Sequence, residues 1–289
     1  MNIGIMQSRL SPVDLQKGYQ YWPQMWWDNE FKLAKLYGFN HIEWIYDENP
    51  NNLLNTEAGM KEIFTLSNKT QVGVRCICAD YFIKHPFWDI TQTTKNIKIM
   101  NMLIMHGFRL GVKNIVLPLI EESTMQGNQI MTSEDKQGEF LAAIKPCLDI
   151  AGQYMVNICL ETDLKPYTEL KSLIAAGGSP RLGICHDTGN VIEQGYDAVD
   201  SYSVYYPYVK HIHLKDKVTM ERANVEIGTG NVDFTKLFTV MSGVKYDGTL
   251  TLQCARKEYD LEYIKKQFRT IRADYAGRNS EKPVYNQVP

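Results

Sequence analysis

Glu161, Asp187 and Gln253 each end a short apolar run in the second half of the chain, and His213 lies within another. Two carboxylates, an imidazole and an amide oxygen form a mixed N/O donor set. Such a set suits Mn²⁺, Mg²⁺, Co²⁺, Fe²⁺ or Zn²⁺ better than a soft metal. A carboxylate beside such a cation can also take a proton from a carbon next to a carbonyl. The same four groups could instead hydrogen-bond among themselves and plug the interior without an ion. Either way they must converge, because polar groups buried without partners are costly.

The elements that would bring them together follow from hydropathy period. β-like runs lie at Ile3–Gln7, His41–Ile45, Gly73–Cys78, Asn114–Leu119, Val156–Glu161, Leu182–Asp187, His211–Lys215 and Thr249–Gln253. Helix-period segments follow them around Asn29–Tyr37, Thr56–Asn68, Thr93–Leu110, Glu134–Tyr154, Thr168–Ala175, Ala198–Tyr206, Phe234–Met241 and Leu261–Tyr275. Strand then helix, eight times over, predicts an α/β chain folded as a single (β/α)8 TIM barrel across residues 1–275, with a polar tail at 276–289. An open, doubly wound sheet would show a glycine-rich loop after its first strand. Gln7-Ser8-Arg9-Leu10-Ser11-Pro12 contains no glycine.

Side chains alternate along a strand. With Ile212 and Leu214 facing the helices, His211, His213 and Lys215 point inward. The same reasoning turns Glu161, Asp187 and Gln253 inward, so four consecutive strands deliver the donor set to one volume. In a barrel that volume is the C-terminal mouth, where chemistry gathers.

The charge balance narrows the partners. The 289 residues carry 31 Lys+Arg against 33 Asp+Glu, a net of −2, with no basic block. Phosphate backbones need concentrated Lys/Arg, so nucleic acid is not the expected partner. No run of about 18 apolar residues predicts a membrane span, and the first residues do not resemble a signal peptide. The six cysteines show no C-x-x-C spacing. They read as small buried hydrophobes, in keeping with a reducing cytoplasm.

Four segments carry a family resemblance. Met6-Gln7-Ser8-Arg9-Leu10-Ser11-Pro12 is similar to an opening M-Q-G-R-L-S. His186-Asp187-Thr188-Gly189-Asn190 and His211-Ile212-His213-Leu214-Lys215-Asp216 resemble segments holding a metal Asp and a metal His. Gly228-Thr229-Gly230-Asn231-Val232-Asp233-Phe234 resembles a G-x-G-x-x-D-F loop. Together, over about residues 1–256, they resemble the xylose isomerase-like barrel superfamily. That group includes sugar phosphate isomerases and epimerases and an endonuclease IV branch. The resemblance implies one divalent metal ion and a small sugar or sugar phosphate, converted by proton transfer through an enediolate. Glu161, Asp187 and His213 match metal ligands, and Glu161 also matches a catalytic acid/base.

The match breaks at Gln253, where the resemblance implies a second catalytic glutamate. An amide oxygen can still face a cation, but it cannot be a general base near neutral pH. Isomerisation by Glu161 alone survives the change. So does a lyase or dehydratase reaction needing one base, and so does a sugar-binding relative without catalysis. The endonuclease IV branch uses a larger, His-rich, multi-metal set, which six histidines and a net charge of −2 do not suit.

Other residues are assigned by position. Glu43, ending the second strand, is the spare carboxylate that could act as acid/base, or else pair with a cationic side chain. Arg9 and Arg256 could bind an anionic substrate group, His85 lies in a loop on the functional face, and Lys215 could neutralise an oxyanion or phosphate. Trp22, with Tyr19, Tyr21, Trp26 and Trp27, could wall off a sugar, pack in the core, or meet a second copy in a homo-oligomer. His186 and Asp216 are expected just behind the ligands, Asp216 orienting His213. His211 is expected below the metal or in the barrel core, and His41 and His106 are read as structural.

Overall fold

The computed structural model describes residues 2–277, apart from 15, 19, 128 and 257–259. The polar tail, from residue 278 onward, and Tyr19 lie outside the described residues.

Seven parallel strands come first: β1 (Ile3–Met6), β2 (His41–Ile45), β3 (Gly73–Cys78), β4 (Asn114–Leu119), β5 (Asn157–Thr162), β6 (Leu182–Asp187) and β7 (Val209–Leu214). A short antiparallel ribbon follows, β8 (Asp216–Lys217) with β9 (Asn224–Val225). β10 (Thr249–Leu252) then closes the barrel by pairing with both β7 and β1. The closed order is β1-β10-β7-β6-β5-β4-β3-β2, the expected eight-stranded barrel. The outer layer holds α1 (Trp27–Tyr37), α2 (Glu57–Thr70), α4 (Thr93–Leu110), α5 (Ser133–Tyr154), α6 (Lys171–Gly177), α8 (Ala198–Tyr205), α9 (Phe234–Gly243) and α10 (Leu261–Gly277). Among the described residues, no helix is long and apolar enough to cross a membrane.

Local signals start and stop these helices. Thr56, Thr132, Asp197 and Asp233 accept backbone N–H bonds at N-termini. Gly38 and Gly111 close α1 and α4 at φ 88° and 86°, a region costly for residues with a Cβ. Two short helices, α3 (Tyr81–Lys84) and α7 (Thr188–Glu193), and the β8–β9 ribbon are additions to the elements expected from the sequence. They are too short to carry a hydropathy period.

Outside the barrel wall, apolar strand faces pack on the helices. Inside, a polar chain crosses the lower layer. Asn157 Nδ2 donates to Asn114 Oδ1 (2.9 Å), and Asn114 Nδ2 donates to Thr249 Oγ1 (2.8 Å). Thr249 Oγ1 in turn lies 2.6 Å from His211 Nδ1. His211 therefore fills the barrel beneath the mouth with its ring satisfied.

Trp22 differs from the expected wall. Its ring is 1% exposed and packs on Trp44, with centroids 6.2 Å apart, while its backbone N–H donates to Asp47 Oδ2. In this arrangement it belongs to the core, because burying so large an apolar surface outweighs leaving it open to a polar mouth.

The first loop also buries Glu30. Its Oε1 accepts from Leu10 N and Ser11 Oγ, while Oε2 has no partner. Burial pushes this carboxyl up to about 7, against hydrogen bonds that pull it down. The folded chain thus keeps a proton that the unfolded chain releases near pH 4.5, so this group costs stability as pH rises from about 4.5 to 7. The full cost, on the order of 3 kcal/mol, is present above that window. Glu30→Gln retains the acceptor and removes the titration. Its melting temperature is expected to exceed the wild type's at about pH 8 and to match it at about pH 4.5, and an equal difference at both pH values would refute the assignment.

Candidate metal centre at the barrel mouth

The site begins with β7. His213 Nε2 donates to Glu43 Oε1 (3.0 Å), and His211 Nε2 donates to Glu43 Oε2 (2.8 Å). All three side chains are fully buried. Burial alone would raise the Glu43 carboxyl, but the two imidazoles override it and hold it well below the usual range. An ionised carboxylate only accepts, so both histidines must present Nε2–H to it. The remaining nitrogen of His213, Nδ1, is thereby aimed at the mouth.

Around Nδ1 stand the expected carboxylates. Glu161 Oε2 is 3.5 Å away and Asp187 Oδ2 is 3.6 Å away. Asn190, in the first turn of α7, fixes both: its N–H donates to Asp187 Oδ1 (2.8 Å) and its Nδ2 to Glu161 Oε1 (2.9 Å). Lys215 Nζ lies 2.6 Å from Asp187 Oδ2. Burial raises Asp187, but Lys215 and His213 more than offset it and hold the acid ionised. Gly189 lets the lysine pass, since a Cβ there would come within 2.8 Å of Lys215 Cγ. Glu161, Asp187 and Asn190 also line one cleft with Leu170 and Tyr205.

Gln253 follows β10 and is 6% exposed. Its backbone N–H pairs with Leu214 O, in register with β7. Its Nε2 donates to Gln20 Oε1 (2.9 Å), leaving Oε1 buried without a hydrogen-bond partner. His213 Nδ1 and Asp187 Oδ2 likewise have no hydrogen bond of good geometry, despite the close Lys215 ammonium.

Buried lone pairs without donors are costly. Gln253 Oε1 carries such lone pairs, and Glu161, Asp187 and His213 place one ligand atom each within 4.8 Å of one another. The residues present fit a divalent ion. Burial lowers the His213 imidazole, but Cys185 and the surrounding carboxylates hold it well above its usual range. A bound dication would take the place of that proton, and neutral His213 and Gln253 with two carboxylates would match its charge.

Several expected roles are relocated. Glu43 is no spare acid/base at the surface of the site, because both its oxygens are taken by histidines in the sealed interior. Asp216 does not orient His213. Its carboxylate accepts from the backbone N–H of Gly228, Gly230 and Val232, which fixes the loop carrying the G-x-G sequence. A Cβ at Gly230 would collide with that carboxylate. His186 points to the helix layer, with Nδ1 2.7 Å from Tyr205 Oη, so it packs rather than supporting the ligands. His85 stacks on Tyr81 and bonds Glu48 and Gln92, apart from the cluster. Arg9 and Arg256 turn donors to the chain itself, at Cys254 O and Ser11 O.

Three residues of the site carry no expectation from the sequence: Asn190, Gln20 and Asp80. Asn190 lies inside one of the family-like segments, and its spacing from a strand-ending Asp is a capping signal. Asp80 follows β3 and accepts from Gln20 Nε2 (2.9 Å) and Cys78 Sγ (3.1 Å). Burial pushes its carboxyl up to about 6, with the charges of Glu161 and Asp47 adding to the rise.

A family model of xylose isomerase-like TIM barrels matches residues 31–273. The chain belongs to that family. It is 23% identical over 238 residues to L-ribulose-5-phosphate 3-epimerase UlaE of Salmonella heidelberg (strain SL476), covering 78% of this chain and 81% of that protein. Among solved structures, an L-ribulose 3-epimerase superposes with a TM-score of 0.77 at 16% identity, over 100% of both chains. The IOLI protein, crystallised with a zinc atom, superposes with a TM-score of 0.68 at 16% identity over 97% of this chain and 98% of its own. This xylose isomerase-like chain thus shares its full barrel with both.

Proposed function

We propose that this chain is a metal-dependent isomerase or epimerase of a small sugar or sugar phosphate. The observation that carries the proposal is the convergence of the Glu161 and Asp187 carboxylates on His213 Nδ1, at 3.5 and 3.6 Å, in an interior that also buries Gln253 Oε1 without a hydrogen-bond partner. The UlaE and L-ribulose 3-epimerase names support the substrate class, and the zinc of the IOLI structure supports a metal on this fold. Mn, Co, Mg, Fe and Zn all suit the donor set. The buried thiols, outside any disulfide, are in keeping with a cytoplasmic protein.

Glu161, Asp187, His213 and Gln253 would hold the ion. When bound, it would supply positive charge that stabilises negative charge developing on a substrate oxygen. Glu161 is the base that takes the proton α to the substrate carbonyl, with Asn190 holding its other oxygen still. Lys215 adds positive charge at Asp187. Gln253 cannot return a proton on the opposite face, so exchange through Glu161 alone favours aldose–ketose isomerisation. The same amide favours a second reading, a sugar-binding or lyase/dehydratase-type relative.

The test is solvent exchange. Protein loaded with Mn²⁺ and incubated in D₂O with ketoses and ketose phosphates is expected to place deuterium at the carbon next to the carbonyl. Thermal stabilisation by a sugar without any deuterium uptake would replace this reading with the binding one.

A further inference from the structure

The amide at position 253 is held in one of its two orientations by a network reaching it from the opposite side. Arg9 Nη2 donates to Gln20 Oε1 (3.2 Å), and Gln20 Nε2 donates to Asp80 Oδ2 (2.9 Å). A guanidinium has donors only. Gln20 must therefore turn its oxygen to Arg9 and its nitrogen to the Asp80 carboxyl. Gln253 meets that same oxygen, Gln20 Oε1, at 2.9 Å and can answer it only with its NH₂. The oxygen of Gln253 is then forced the other way, where it is buried without a partner.

We infer that Gln20 is a positioning residue that aims the Gln253 carboxamide oxygen into the cation pocket and makes position 253 selective for an amide over a carboxylate. A glutamate at 253 would set a carboxylate oxygen against Gln20 Oε1. Gln20 cannot flip to relieve that contact while Arg9 and Asp80 hold it. The family departure at Gln253 is thus supported by residues of the first and third βα loops. This inference rests on the metal reading above for the destination of the oxygen, but not for the orientation itself.

The test is a double-mutant cycle read by Mn²⁺ binding rather than turnover. Gln20→Leu is expected to weaken Mn²⁺ affinity about tenfold, within the usual effect of groups that orient ligands. In a Gln253→Leu background, Gln20→Leu should change affinity by less than about twofold. Gln20→Glu combined with Asp80→Asn keeps an acceptor for Arg9 and Gln253 and a donor–acceptor contact between positions 20 and 80, and should retain affinity within about threefold, which separates orientation from damage to the fold. Gln253→Glu should bind Mn²⁺ no more tightly than wild type, yet about tenfold more tightly once Gln20 is leucine. Equal effects of Gln20→Leu in both backgrounds, or an equal gain from Gln253→Glu in both, would overturn the inference.

A second readout needs no metal. The side-chain NH₂ of Gln253 should exchange slowly in ¹⁵N spectra of the wild type and rapidly in Gln20→Leu. If the wild type takes up no Mn²⁺, the metal reading fails, and this signal alone decides the orientation. Slow exchange lost in the variant upholds it, and rapid exchange in the wild type defeats it.

Discussion

Glu43→Gln is expected to weaken Mn²⁺ binding by about 10–100-fold, although Glu43 is no ligand. Its carboxylate gives one acceptor to each of two buried imidazoles, His211 and His213. An amide has one acceptor and one donor group. Its NH₂ must face one Nε2, and that ring must then carry its proton on the other nitrogen. On His213 the other nitrogen is Nδ1, the atom 3.5 Å from Glu161 and 3.6 Å from Asp187. A ring protonated there cannot bind a cation. On His211 the other nitrogen is Nδ1 at 2.6 Å from Thr249; if the amide turns its NH₂ that way, His213 keeps its tautomer but loses the carboxylate charge behind Nε2–H, which makes its Nδ1 a weaker ligand. The substitution also removes a sealed negative charge shared by two imidazoles, and the unfolding free energy should fall by about 2–4 kcal/mol. Calorimetric titration with Mn²⁺ and urea unfolding check the two effects. Wild-type values for both would show that Glu43 neither fixes the tautomer nor holds the interior together.

The largest effect on turnover is expected from Glu161→Gln. Deuterium uptake should drop by about 10²–10⁴-fold, the usual contribution of a positioned base. The fold should hold, because Asn190 Nδ2 still finds an oxygen at position 161. Mn²⁺ should bind more weakly but still measurably, since Asp187, His213 and Gln253 remain. Exchange within about tenfold of wild type would place the base elsewhere. Asp80, with its carboxyl pushed up to about 6, would be the group to test next.

The relocated residues share a physical cause. Glu43 and His213 lie on β2 and β7, which do not pair; β1 and β10 stand between them. Their contact exists only because the barrel closes and turns both inward at one height. Proximity in sequence puts Asp216 beside His213, but the β8–β9 ribbon carries it off to the G-x-G loop. Gln20 belongs to a loop with no period to read, and its role comes from Arg9, Asp80 and Gln253 meeting there.

What the sequence determined by itself was the set of strands and the face each residue takes. Alternation is local, so the order of residues along each strand is enough to turn Glu161, Asp187, His213 and Gln253 inward. The G-x-G loop is legible too, because its glycine spacing is local; the Asp187-to-Asn190 cap carries no expectation from the sequence, although its spacing is a local signal. Tertiary structure alone decided who partners whom: that Glu43 is occupied by two histidines, that Lys215 meets Asp187, and that Gln253 Oε1 is left without a hydrogen bond. A hydrogen bond depends on a separation of about 3 Å between residues far apart in the chain, and barrel closure sets that separation.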